Sequence, residues 1–533
     1  MKAHGEVVAG PRSCLLSRSV VVCCWSSLVV WLVVVVLVWP HHGSVLTWDE
    51  VDYVNAAGLG IAANAFERGS LSPLDFVQFA LSKATKRSPT LPPGYDEERD
   101  PFILRHGHPP FVVYLLAVLP QVRSERSVRS VQLLGALLLI GTMFLGYQSM
   151  AGSAGWSGML LVSAFALWIS YLAFGLLSFH GWEAIWATLA ATFLALLGRS
   201  PGVGDTRLRL GLCTTFALAL LTLETGLVVW LGVGLWLLVS RWCDYRAGKS
   251  GFTPRDLFLG LLVAVLVVAI AWPGSFSKMS ILKTVATRVY AVQLGNEYAG
   301  VAYGEIARRL LPVVVLGAPV LAWLLLSSRL NVRLWGPFVV IGVMYGVAMI
   351  PVSVQAHYLV PAVAPLACVA AAASDHLSKL WIRAGAVVLA GLAIAGAWPM
   401  GSISAFDQGA RQDLHWLGDV LRGQEALVDG GHIYQYYLGR DYRIRPITVG
   451  YDGSSLSVRE GGQYHDLRAQ DVNGRLVVIQ SSRQDVLARD AHRLLLERCP
   501  RIDRSTVRMY DCRGANDSES VERREAKGSK RDR

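Results

Sequence analysis

Runs of about twenty aliphatic and aromatic residues recur through the first four hundred positions of this chain, and they limit its fold more than any other feature. The first runs from Val20 to Trp39, long enough to cross a hydrocarbon core of about 30 Å as a helix. Further runs lie near 130–149, 157–176, 184–198, 210–223, 226–240, 257–273, 310–327, 336–352, 359–374 and 385–400. The pair 210–223 and 226–240 reads either as two short spans or as one long helix. With 53% hydrophobic and 17% charged residues among 533, the chain has too little polar surface for a soluble fold of this size. The runs are of helix length and lack the ten-residue alternation of a membrane barrel. The fold class expected is an α-helical polytopic membrane protein of about eleven transmembrane helices, with added juxtamembrane helices and a small C-terminal α/β extracytoplasmic domain.

The net charge of +11 does not point to nucleic acid, because the basic residues are spread over loops. Their bias sets orientation instead. Residues 1–19, with Lys2, Arg12 and Arg18, read as cytoplasmic and the first run as an uncleaved anchor, since no small-residue cleavage site follows it. The basic loops 199–209, 241–255, 328–335 and 375–384 then share the cytoplasmic side. The apolar run Pro109–Pro120 would break this parity and is short for a crossing. It reads as a juxtamembrane or re-entrant helix within the first extracytoplasmic loop, 40–129, of a core covering 20–400.

In that loop, Val51, Val54, Ile61 and Ala65 form one apolar stripe. Leu74, Val77 and Leu81 form another behind a Ser72-Pro73-Leu74-Asp75 helix start. Both suggest amphipathic helices lying on the membrane. Residues 401–514 are polar, with strand signals at Ala426–Val428 and Leu476–Gln480 and helix signals at Asp413–Leu421 and Val486–Glu497. Cys499 and Cys512 are the only cysteines there and can pair in an oxidising exterior. The charged tail 515–533 reads as disordered.

Four groups of residues can carry chemistry. Asp49 and Glu50 open the first loop in Trp48-Asp49-Glu50-Val51-Asp52-Tyr53. A carboxylate there can accept a proton from an attacking hydroxyl, or simply favour a helix start. Glu183, at the head of another span and on the same side, has the same two readings. Arg105, His106 and His108 precede Pro109-Pro110. They can stabilise a departing lipid phosphate at headgroup depth, or attract headgroups in general. His357-Tyr358 is a second candidate phosphate site, or an interface pair. No Walker loop, HExxH or dinucleotide fingerprint occurs, which argues against a nucleotide-sugar enzyme.

On these residues the chain resembles the C superfamily (GT-C) of membrane glycosyltransferases, in particular the protein O-mannosyltransferase and aminoarabinose-transferase group. Trp48-Asp49-Glu50-x-x-Tyr53 looks like the first-loop acidic motif, and His108-Pro109-Pro110 with Tyr114-Leu115-Leu116 like the His/Lys-Pro-Pro segment. Leu221-Thr222-x-Glu224-Thr225 looks like the Leu-Thr-Lys-Glu-Thr run, with Leu223 for Lys. Glu183 stands where the family usually has Asp, and His357-Tyr358-Leu359-x-Pro361 resembles Arg-Tyr-Leu-x-Pro with His for Arg. The resemblance covers roughly 20–400. It implies inverting transfer of a sugar from a polyprenyl-phosphate donor to a protein, lipid or glycan hydroxyl on the exterior face. Asp49 would be the base, Glu50 and Glu183 supporting acids, and Arg105, His106, His108, His357 and Tyr358 the donor-phosphate group. No cofactor is expected; a carboxylate cluster can hold a divalent ion, but the mannosyltransferase-like pattern does not favour one. A bacterial plasma membrane is the expected setting, with membrane lipids around the core and no nucleic-acid partner. A transporter or lipid flippase would need charges deep in the membrane or broken helices, and few charges lie deep in these spans. A noncatalytic scaffold is a third reading.

Overall fold

The computed structural model describes residues 18–38, 45–46, 48–58, 60–66, 109–119, 124–151, 155–174, 179–199, 206–247, 254–277, 332–349, 356–375, 400–429, 431–439, 442–449, 456–460, 463–467, 469–480 and 499–514. The expected spans 310–327 and 385–400, the helix starting at Ser72, the helix at Val486–Glu497 and the tail lie outside the described residues.

The apolar runs fold as helices α1 (Arg18–Val38), α5 (Glu125–Ala151), α6 (Trp156–Phe174), α7 (Phe179–Arg199), α8 (Thr206–Thr222), α9 (Leu227–Ala247), α10 (Pro254–Ala271), α12 (Val332–Met349) and α13 (Val360–Ser374). Between them and beside them lie α2 (Trp48–Gly58), α3 (Ile61–Phe66), α4 (Phe111–Ala117) and α11 (Gly274–Ser277). The question left open at 210–240 is answered: α8 and α9 are two helices, separated by a 3₁₀ turn at Glu224–Gly226. Among the described residues, α5 and α7 are long and apolar enough to cross a membrane by length and composition, and six shorter apolar helices accompany them.

α7 is the central helix. Ala184, Ala187, Ala190, Ala191 and Ala195 are fully buried and let α5, α8, α12 and α13 close around it. Thr188 and Thr192 return their hydroxyls to the carbonyls of Ala184 and Thr188 at 2.7 Å, so no polar atom of theirs is orphaned. At Gly146 of α5 a Cβ would stand 3.0 Å from Phe338 and 3.2 Å from Cys368 Sγ, so glycine permits the approach of α12 and α13. The outer helices turn apolar side chains outward: Trp25, Val29 and Val36 on α1, Leu231 and Leu238 on α9, Phe258, Leu262, Leu266 and Ile270 on α10. A bilayer solvates such an exterior; water does not.

One end of the bundle is knotted by Asp375, just past α13. Its carboxylate accepts the Gly158 amide at 2.7 Å, the Gly155 amide at 3.3 Å and the Tyr147 hydroxyl at 2.5 Å. It thereby caps the start of α6 while holding the end of α5. The opposite end carries the starts of α5 and α7, and there α4 and α2 dock.

The first of the two amphipathic stripes expected on the membrane surface differs in the structure. The stripe Val51, Val54, Ile61, Ala65 is not one helix: Gly60, at φ 87°, separates α2 from α3 and leaves Ile61 exposed. Helix α2 buries Glu50, Val51, Tyr53, Val54, Asn55, Ala56 and Ala57, so it is enclosed rather than laid on a surface. The run after Pro110 forms only the seven-residue α4, shorter than a span, as its length implies.

After α14 (Met400–Val420) the chain builds a seven-stranded sheet from β1 (Glu425–Asp429), β2 (Arg443–Val449), β3 (Leu456–Glu460), β4 (Gln463–Asp466), β5 (Leu476–Gln480), β6 (Arg501–Asp503) and β7 (Val507–Asp511). The strands lie in the order β4-β3-β2-β1-β5-β7-β6. The central trio β2, β1, β5 is parallel and its flanks are antiparallel. Leu476 to Ile479 are all buried, the unbroken apolar run of a strand covered on both faces. Helices α15 (Gly431–Leu438) and α16 (Ala469–Val472) connect these strands, and Cys499 and Cys512 form a disulfide. Asp413 on α14 is buried and accepts from Ser505 Oγ at 2.8 Å and from Thr506 N and Oγ1 at 2.7 Å each. It anchors the β6–β7 turn. Asp413→Ala strands these donors and is expected to cost about 3 kcal/mol. Amide exchange across 503–509 should rise; unchanged protection there would deny the anchor.

Candidate functional site

Two buried carboxylates organise the end of the bundle opposite Asp375. Glu50, on the first turn of α2, is fully buried. Arg129 of α5 reaches it at 2.6 Å through one guanidinium nitrogen and at 3.4 Å through the other. Gln132, one helical turn further along α5, donates to Glu50 Oε1 at 2.9 Å and accepts from Arg129 at 3.0 Å. A buried charge pair is better tolerated when further hydrogen bonds meet its remaining lone pairs and protons, and Gln132 supplies one to each partner. The result fixes α2, and with it the backbone of Asp49, against the start of α5. The Asp49 side chain lies outside the described residues, as do Arg105, His106, His108 and the His357 side chain.

Glu183, just past the first turn of α7, is also fully buried. His180 Nδ1 lies 2.7 Å from its Oε2, and the Thr225 hydroxyl donates to its Oε1. The Tyr345 hydroxyl lies 3.4 Å from the same oxygen and 3.1 Å from the Thr225 carbonyl. This network joins α7, the 3₁₀ turn after α8, and α12.

The sequence motifs converge on this acid. The His180 ring lies 4.2 Å from and tilted by 45° to that of Tyr358, in the 3₁₀ turn Ala356–Leu359 that leads into α13. Trp186 donates to the Thr222 hydroxyl at 2.8 Å. Phe111, directly after buried Pro109 and Pro110, meets Trp182 and Trp186 edge-on at 5.4 and 5.6 Å. Tyr114 of α4 donates to the Ala271 carbonyl at the end of α10 at 2.6 Å. Segments far apart in sequence thus meet around the start of α7, with α2 packed against α4 beside them.

Sequence reasoning missed Arg129, Gln132, His180, Thr225 and Tyr345 as partners of the acids. Arg129 sat at a span margin, where cations are ordinary. Its i, i+3 spacing to Gln132, and that of His180 to Glu183, were the available signals.

Among solved structures the chain is similar to ArnT from Cupriavidus metallidurans bound to undecaprenyl phosphate, with a TM-score of 0.54 and 13% identity over 92% of this chain and 97% of that one. The apo state of the same ArnT gives 0.49 at 14% identity over the same shares. The likeness is one of fold. No family model and no curated protein matches the sequence.

Arg129→Met leaves Glu50 buried without its counter-charge, and is expected to destabilise the protein by about 3–5 kcal/mol. Adding Glu50→Leu removes the stranded charge. Thermal unfolding of both purified variants checks this: the double variant should be the more stable.

Proposed function

We propose that the protein is a membrane glycosyltransferase that moves a sugar from a polyprenyl-phosphate donor to a hydroxyl of a protein, lipid or glycan on the extracytoplasmic face. In this reading about eleven helices hold it in a bacterial plasma membrane, and the C-terminal α/β domain stands outside. The observation that carries the proposal is the convergence of the Pro-Pro segment, Glu183, the Thr222–Thr225 turn and Tyr358 at one end of the bundle. Support comes from the fold shared with ArnT, which has been crystallised with undecaprenyl phosphate.

The acceptor oxygen attacks the anomeric carbon in line and forms the new C–O bond. The bond from that carbon to the phosphate oxygen breaks, and its electron pair leaves on the phosphate, inverting the sugar. Asp49 accepts the acceptor's proton. Glu50 keeps the Asp49 backbone in place through Arg129, since both of its oxygens are engaged. Glu183 holds His180, which orients Tyr358. Arg105, His106, His108 and His357, with Tyr358, are assigned to the departing phosphate, whose charge cations stabilise. The reaction as written uses no cofactor.

The test is transfer of labelled sugar from polyprenyl-phosphate donors to a membrane extract by purified wild type and Asp49→Asn. Wild type should transfer label, and Asp49→Asn should lose at least about a hundred-fold in rate with folding intact. An Asp49→Asn enzyme of wild-type rate would remove Asp49 as the base. A folded wild type inert with every donor would overturn the reaction class.

A further inference from the structure

Helix α15 belongs to the C-terminal sheet region by sequence, yet it has two faces. Tyr434 and Leu438 pack into the core that α14 forms with β1 and β5. Ile433, Tyr436 and Tyr437, on the other face, belong to the apolar core of the helical bundle. The two sets follow the helical period. Helix α15 lies directly against α2.

Tyr437 is the polar member of the inner face. Its hydroxyl accepts the Leu46 amide at 2.7 Å and faces Glu125 Oε1 at 3.4 Å as donor. Leu46 is four residues before Glu50; Glu125 is four residues before Arg129. The hydroxyl therefore joins the two chain segments that the Glu50–Arg129 pair joins, about one helical turn further out. Arg411 of α14 adds a second link, at 3.4 Å from the same Glu125 oxygen. Burial, the largest influence on the phenol, raises its pKa far above the ordinary tyrosine value, so the hydroxyl keeps its proton at physiological pH.

We propose that Tyr437 is a positioning residue for the transfer reaction: through Leu46 and Glu125 it lets the C-terminal sheet region set the seating of α2, and so the position of the Asp49 backbone. The proposal rests on the glycosyltransferase reading for its catalytic consequence, but its structural half stands on the contacts alone. The hydroxyl does not meet substrate; it acts through α2. A lever of this kind affects the chemical step more than donor binding, because the donor's lipid phosphate is assigned to other segments.

Tyr437→Phe keeps the ring and its packing and removes only the hydroxyl. In the full-length protein, kcat for sugar transfer should fall on the order of five- to ten-fold, the weight of about one hydrogen bond, while the donor KM changes less than two-fold. Amide exchange should accelerate across 46–58 and stay as in wild type across α6 and α13. Unchanged exchange at 46–58 overturns the proposal, whatever the kinetics show. So does a kcat equal to wild type in an active enzyme, or a rise in donor KM that accounts for the whole loss. If wild type transfers no sugar, the reaction class falls, and exchange at 46–58 still decides whether Tyr437 seats α2.

Discussion

The ion pair between Glu50 and Arg129 is the constraint from which the end of the bundle opposite Asp375 follows. Both groups are buried, and stripping water from either alone would cost several kcal/mol. Each is therefore worth keeping only in the other's company, at one separation and with Gln132 completing the set. Such a pair contributes little net stability but much geometry. Alternative dockings of α2 on the bundle would leave a charge unpaired in an apolar setting. The short α2 thus has one seat, although its apolar residues alone would slide.

A second carboxylate gives the neighbouring elements the same discipline. Glu183 gathers a hydroxyl from the turn after α8 and an imidazole one turn back on its own helix, with Tyr345 of α12 alongside. Beside these polar contacts Phe111 packs edge-on against Trp182 and Trp186 of the same helix as the acid. The sheet region reaches the same end through α15, which packs on α2 and joins the apolar core of the bundle.

Much of the bundle was legible because its helices announce themselves by length: the spans starting near Val20, 130, 157 and 184 appear within a few residues of where composition puts them. The strand at Leu476–Gln480 was equally plain, since a run of buried aliphatics admits few alternatives. The break at Gly60 was not, because a stripe at helical spacing continues through it on paper and only a positive φ ends it. Glu50 and Glu183 were visible as acids at span ends, but not their partners. Arg129 resembles any orientation-setting cation, and the pairing of Tyr437 with Leu46 spans nearly four hundred residues, a distance over which periodicity says nothing.

The Asp375 knot joins parts of the chain made at different times. Three helices are fastened at that end by one carboxylate taking two amides and a phenol. Asp375 follows Tyr147 by 228 residues. On a chain synthesised from its N-terminus, α5 and α6 therefore wait for α13 before this end is fastened, and the last of the three helices to be made completes the first two.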